Sequence, residues 1–235
     1  MLRVSGLRCA YDTGVVLGGV DLTVAEGEIV GLLGRNGIGK TSLARSIVGF
    51  RPPVVTSGSI TYNDQEMLEL RTHKVAQSGI GFVPQGRRVF GSLSVSENLT
   101  VTSRGVEDSS GWTVDRVFDF FPGLAERKSQ KAKSLSGGEQ QMLAIARALM
   151  TNPTLLVMDE ASEGLAPTVL VAIGERLAEL KGSGVSVLLI EQNVSLAQSL
   201  GDRICLLGGG GTIVWEGSPE EFVQAEAAQR EHLGV

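Results

Sequence analysis

The stretch of this chain best suited to chemistry is Gly34-Arg35-Asn36-Gly37-Ile38-Gly39-Lys40-Thr41-Ser42, which fits the pattern Gly-x4-Gly-Lys-Thr. A glycine-rich turn of this kind lets successive backbone N–H groups converge on phosphate oxygens. Lys40 is of the right type to neutralise the β- and γ-phosphates, and the Thr41 hydroxyl is a hard ligand for Mg²⁺. Two more constellations follow. Leu135-Ser136-Gly137-Gly138-Glu139-Gln140-Gln141 precedes Met142, Leu143, Ile145, Ala146 and Leu149 at the spacing of an amphipathic helix. Ser136 and Glu139 form a capping box, and the two glycines between them leave backbone N–H groups open to an anion at the positive end of the helix dipole. That reads as a well-capped helix start or as a second phosphate-binding surface. Finally, LLVMDE from Leu155 to Glu160 is a buried strand that delivers two carboxylates at its C-terminal end, where open α/β sheets bind ligands. Asp159 suits Mg²⁺, and Glu160 suits the orientation and deprotonation of an attacking water.

The elements around these residues predict an α/β fold. Ile29–Leu33, Leu155–Met158, Val185–Ile190 and Ile204–Leu207 are short, almost continuously apolar and separated by helical stretches, as buried parallel strands are. The first feeds the glycine loop, and a helical pattern from Lys40 through Leu43, Ile47 and Val48 leaves it, so phosphate would meet a helix N-terminus. Residues 2–24 alternate apolar and polar and are broken by glycines, which predicts antiparallel strands. Between about 91 and 133 the pattern is helical and polar, with Val117, Phe118, Phe120 and Phe121 as a local core; this reads as a small inserted helical subdomain. Gly208–Gly211 reads as a hairpin loop, and the charged, alanine-rich tail from Pro219 to Val235 as a solvated terminal helix.

Bulk properties narrow the partners. A chain of 235 residues is long enough for one large domain with a full core, and a net charge of −5 without any lysine and arginine run gives no footprint for nucleic acid. Cys9 and Cys205 form no ligand-spaced set, so neither zinc nor a disulfide framework is expected, and a reducing cytoplasmic compartment fits. No apolar run is long enough to cross a membrane as a helix. Work at a membrane would therefore depend on partners.

In their order and spacing, GRNGIGKT, LSGGEQQ and LLVMDE resemble the ATP-binding cassette ATPases along nearly the whole chain. The resemblance implies a single cassette: a P-loop NTPase core (1–90 and 134–235) with a mostly parallel sheet between helices, an N-terminal antiparallel β subdomain, and an inserted helical subdomain (about 91–133). It implies ATP and Mg²⁺ as ligands. It also implies two cassettes facing head to tail, so that Gly34–Ser42 bind this chain's nucleotide while Ser136, Gly137, Gly138 and Glu139 face the partner's. Tyr11 falls where such ATPases stack an aromatic on adenine. Gln85 matches a glutamine that touches Mg²⁺ and the water and relays nucleotide state to the helical subdomain. Ser162–Ala166 (SEGLA) stands at the D-loop, with Ala161 and Ala166 in place of the usual proline and aspartate. Most cassettes place a histidine after the strand at 185–190, but here Gln192 occupies that switch position. A neutral amide donates a hydrogen bond without adding charge, which predicts a weakened switch.

Finer text, VPQGRRVFGSLSVSENL (83–99) and LSGGEQQMLAIARALM (135–150), is similar to the shorter ATPase subunit of branched-chain amino acid importers. That implies a second, distinct ATPase, two integral-membrane permeases, an extracytoplasmic substrate-binding protein acting indirectly, and a peripheral position on the cytoplasmic face of the membrane. Urea or short-amide importers share this architecture, and soluble assembly ATPases of the iron–sulfur type share its motifs. Arg87, Arg88 and Phe90 read either as permease-docking residues or as a solvated loop with one anchoring aromatic.

Overall fold

The computed structural model describes residues 1–103 and 111–234. Ten strands build two sheets: β1 (Leu2–Tyr11), β2 (Gly14–Val24), β3 (Ile29–Leu33), β4 (Val54–Tyr62), β5 (Gln65–Glu66), β6 (Ile80–Val83), β7 (Leu155–Asp159), β8 (Ser186–Glu191), β9 (Arg203–Gly208) and β10 (Thr212–Gly217). The helices are α1 (Lys40–Ile47), α2 (Thr72–Gln77), α3 (Val95–Thr100), α4 (Val114–Phe120), α5 (Pro122–Ala125), α6 (Gly137–Leu149), α7 (Pro167–Gly182), α8 (Val194–Leu200), α9 (Pro219–Gln224) and α10 (Glu226–His232).

The central sheet runs β10-β9-β3-β8-β7-β6, parallel from β9 to β6, with β10 antiparallel at the edge. All four apolar runs lie in its parallel part. Because successive strand side chains alternate faces, Val187 and Leu189 of β8 enter one core and Leu188 and Ile190 the other. Leu156 and Met158 of β7 likewise separate from Leu155 and Val157. With both faces buried, every residue of these strands must be apolar or paired, which is why they read as unbroken runs. Full burial of each such side chain contributes roughly 1.5–3 kcal/mol.

The second sheet is antiparallel, ordered β2-β1-β4-β5. It packs over α1 and one face of the central sheet, so that Leu7, Leu17 and Leu22 share a core with Leu43, Ile47 and Leu188. β4 is absent from the sequence reading; its first half, Val54–Ser59, is half-buried or exposed and mixes polar with apolar residues. The sheets are joined at the Gly208–Gly211 turn, where the Gly18 N–H donates to Gly211 O over 3.0 Å. That turn is the expected hairpin loop.

On the other face, α6 and α7 cover the sheet, and Val117, Phe121 and Leu124 join their core. Phe120 packs edge-on against both Trp112 and Phe121. Part of the expected helical stretch, 104–110, lies outside the described residues. The tail departs from expectation. Its two helices are not a solvated terminal helix, because Phe222 is fully buried with Leu33, Ile204 and Leu206 and meets Trp215 edge-on. A capping box of Ser218 and Glu221, with Pro219 in the first turn, starts the helix that carries Phe222 inward.

Candidate functional site

Strand register brings several of the candidate residues together at the carboxyl ends of the central sheet's strands. Leu33 of β3 pairs with Glu191 of β8, Ile190 with Asp159 of β7, and Met158 with Val83 of β6. The loops leaving these parallel strands therefore open side by side at their carboxyl ends. They hold the 34–39 turn, Gln85, Glu160 and Gln192.

The turn needs glycine at 39. Its φ is +115°, and a Cβ there would lie 2.8 Å from Leu17 Cδ2 and 3.0 Å from Val16 O. Lys40 opens α1 but folds back, 3% exposed, donating to Gly34 O at 2.8 Å and Arg35 O at 3.0 Å. Its Nζ is also 3.1 Å from Glu160 Oε1. Thr41 Oγ1 donates to Asp159 Oδ1 over 3.2 Å. At the rim, the Tyr11 hydroxyl lies 3.3 Å from Ser42 Oγ.

Glu160 is the hub. It follows β7 directly with φ +49°, a left-handed conformation that costs a non-glycine residue of order 1–3 kcal/mol. Its N–H donates to Ile190 O at 2.8 Å, which fixes it against β8. Besides Lys40, its carboxylate accepts Gln192 Nε2 on Oε1 at 2.9 Å and Gln85 Nε2 on Oε2 at 2.8 Å. Gln85 Nε2 also reaches Glu163 Oε2 at 2.9 Å. Thus Lys40, Gln85, Glu160 and Gln192 converge. Asp159 sits beside them with only 1% exposure, and burial raises its carboxyl from 3.8 to about 6, assisted by the neighbouring Glu160 charge and opposed by the Thr41 hydrogen bond.

These residues fit a nucleoside triphosphate with Mg²⁺. Lys40 Nζ is a buried cation among backbone carbonyls at the mouth of the turn, and Thr41 with Asp159 offers two adjacent hard oxygens.

Ser136 stands apart. Its Oγ accepts the Glu139 N–H at 3.3 Å while Glu139 Oε2 accepts the Ser136 N–H at 2.8 Å, the expected capping box. The Ser136 backbone N–H holds the Glu139 carboxyl below its ordinary range. Among the described residues no hydrogen bond or ion pair joins 136–139 to 34–42 or to Glu160. The phosphate turn and the α6 N-terminus are two separate surfaces of one chain.

The sequence reading missed Glu163 and Glu191. Glu191 is 1% exposed and accepts the Ser162 N–H at 2.9 Å, the Ser162 hydroxyl at 2.5 Å and the Gln192 N–H at 3.3 Å. Burial pushes its pKa up. It ties the 162–166 loop to the strand that presents Gln192. A carboxylate closing an apolar run is the only sequence signal for it.

The chain matches the ABC transporter family model over residues 17–163, more than half its length. It is 42% identical over 211 residues, 89% of this chain and 90% of the relative, to the high-affinity branched-chain amino acid transport ATP-binding protein BraG of Pseudomonas aeruginosa. It is 35% identical to the lipopolysaccharide export system ATP-binding protein LptB of Escherichia coli, across 99% of this chain and 97% of that one. Among solved structures it resembles a dimeric ATP-binding cassette in a post-hydrolysis state bound to ADP and Pi, with a TM-score of 0.79, 25% identity, and coverage of 93% of this chain and 99% of the other. A phosphate turn, a paired-carboxylate strand end and a capped Ser-Gly-Gly helix thus occur together in a chain whose full-length relatives carry ATP-binding names, and the protein belongs to the ABC transporter family as one of its ATP-binding cassette ATPases.

Proposed function

We propose that this ATPase drives an importer of branched-chain amino acids, peripheral on the cytoplasmic face of the membrane. It would act beside a second cassette subunit and beneath two permeases, served indirectly by an extracytoplasmic binding protein. The convergence of Lys40, Gln85 and Gln192 on Glu160 supports the hydrolytic part of this reading. In it, Gly34–Ser42 and Tyr11 bind ATP, while Thr41, Asp159 and Gln85 hold Mg²⁺. The ion would neutralise phosphate charge. Glu160 accepts the proton of the attacking water, and Gln85 and Gln192 fix the carboxylate's orientation. Lys40 exchanges its carbonyl partners for phosphate oxygens. Ser136, Gly137, Gly138 and Glu139 present the α6 N-terminus to the nucleotide of a facing cassette. Residues of about 91–133 act as a helical subdomain on the core formed by 1–90 and 134–235.

A groove of about 310 Å³ lined by Val48, Phe50, Val75, Phe82, Arg88 and Arg147 suits a permease segment. No helix among the described residues is long and apolar enough to cross a membrane, which fits a subunit held there by others. The cargo rests on the 42% identity to a branched-chain amino acid transport protein. The full-length likeness to LptB favours a second reading, a cassette of an export system. Urea or amide import and soluble complex assembly share the same motifs.

Purification of the tagged chain from gently solubilised membranes with ATP, with its partners identified by mass spectrometry, separates these readings. Two permeases, a second cassette and uptake of labelled leucine are expected; a homodimer or only soluble partners would overturn the importer. Glu160→Gln should keep ATP binding and lower hydrolysis by about a hundredfold or more. Hydrolysis at the wild-type rate would remove Glu160 from its role.

A further inference from the structure

We propose that Arg87 is a positioning residue which couples Gln85, at this chain's own Glu160, to Gly137 at the start of α6, thereby linking hydrolysis here to the N-terminus offered to the nucleotide of the facing cassette. The inference rests on the reading above and deepens it. Arg87 does not simply face solvent. It is half-buried, its Nη2 donates to Gly164 O at 3.2 Å, and its guanidinium lies so close to Gly137 that a Cβ there would come within 2.6 Å of Nη1. A side chain at 137 would push the guanidinium off this position. Two residues earlier, Gln85 touches Glu160 and Glu163, so loop 85–87 runs alongside 163–164 with a contact at each end.

The loop is also pinned further on. Arg147 Nη1 of α6 donates to Arg88 O at 2.5 Å, and its guanidinium lies 4.2 Å from the centre of the Phe90 ring. Asn98 of α3 accepts the Phe90 N–H at 2.9 Å and donates to Phe90 O at 3.0 Å. A displacement of Gln85 is therefore passed to α3 and to both ends of α6. Two features mark the Arg87 contact as more than packing. Arg87 and Arg88 are consecutive non-glycine residues at φ +63° and +25°, conformations that cost free energy and persist where surroundings impose them. Moreover, a cation at a helix N-terminus opposes the helix dipole, so this placement is not the arrangement stability alone would select.

The test measures ATP affinity, KM and kcat on the full-length chain, in the assembly in which it purifies, for wild type, Arg87→Ala, Arg87→Lys, Gly137→Ala, the Arg87→Ala/Gly137→Ala double variant and Glu160→Gln. Arg87→Ala should lower kcat about tenfold, the order expected for loss of a hydrogen bond from a charged donor, with ATP affinity and KM within about twofold. Arg87→Lys, which lacks the planar fork needed to reach Gly164 O while lying on Gly137, should not restore the rate. In the Gly137→Ala background, Arg87→Ala should have no further effect, because the added Cβ already displaces the guanidinium. Wild-type kcat in Arg87→Ala with Glu160→Gln inactive would overturn the coupling role alone, as would multiplying effects in the double variant. Full activity of Glu160→Gln would overturn the hydrolytic reading and this inference with it. Equal thermal midpoints for wild type and Arg87→Ala are expected; a lowered midpoint together with rescue by lysine would assign Arg87 to folding instead.

Discussion

Asp159 weakens the fold that carries it, and the size of that cost follows from its burial. The carboxyl is 1% exposed and raised from 3.8 to about 6, chiefly by desolvation. At about 1.4 kcal/mol per pKa unit, the charged form costs the nucleotide-free protein about 3 kcal/mol. A raised carboxyl pKa means that the folded state binds the proton more tightly than the unfolded state. The associated stability is present below pH 3.8, is lost as pH rises towards 6, and is gone at neutrality. Asp159→Asn removes the charge and keeps an oxygen to accept the Thr41 hydroxyl, now 3.2 Å from Oδ1. Urea unfolding of both proteins, free of nucleotide and chelated with EDTA, should show the variant more stable by about 2–3 kcal/mol at pH 8. The gap should narrow through pH 6 and fall to about 1 kcal/mol near pH 4.5. A pH-independent gap, or a wild type the more stable at pH 8, would refute the argument. Because the stabilised variant lacks the carboxylate proposed above to hold Mg²⁺, it should not hydrolyse ATP, so stability and activity would change in opposite directions.

Gln192→Ala removes one of the two amide donors that orient Glu160. Hydrolysis in the assembled complex should fall about tenfold with ATP affinity retained; an unchanged rate would make Gln192 a spectator. Phe222→Ala empties a fully buried site beneath Trp215 and should cost about 3–5 kcal/mol in urea unfolding. A loss below about 1 kcal/mol would mean that the tail does not belong to the core.

Four of the five parallel strands were legible because burial on both faces leaves only apolar or paired residues along them, giving apolar runs that need no context to be recognised. Gly39 and the capping box of Ser136 and Glu139 were legible for local reasons, a positive φ and a reciprocal hydrogen-bond pattern within four residues. β4 was not, since much of it faces outward and its pattern is set by a partner strand, β1, that is remote in sequence, pairing Leu2 with Tyr62 and Ala10 with Val54. Phe222 was hidden by charged neighbours, although a lone aromatic behind Ser218-Pro219-Glu220-Glu221 is a signal that the helix has an inner face.

Residue identity alone determined which chemistry the chain can perform, because a phosphate turn, two carboxylates and a capped diglycine are each defined by a few neighbours in sequence. Tertiary structure decided what those groups touch. Strand order set Glu160 between Lys40, Gln85 and Gln192, buried Glu191 beneath Ser162, and folded Arg87 onto Gly137. Such contacts join positions tens of residues apart, and no local spacing encodes them; they arise only when the parallel sheet brings its carboxyl ends into one row.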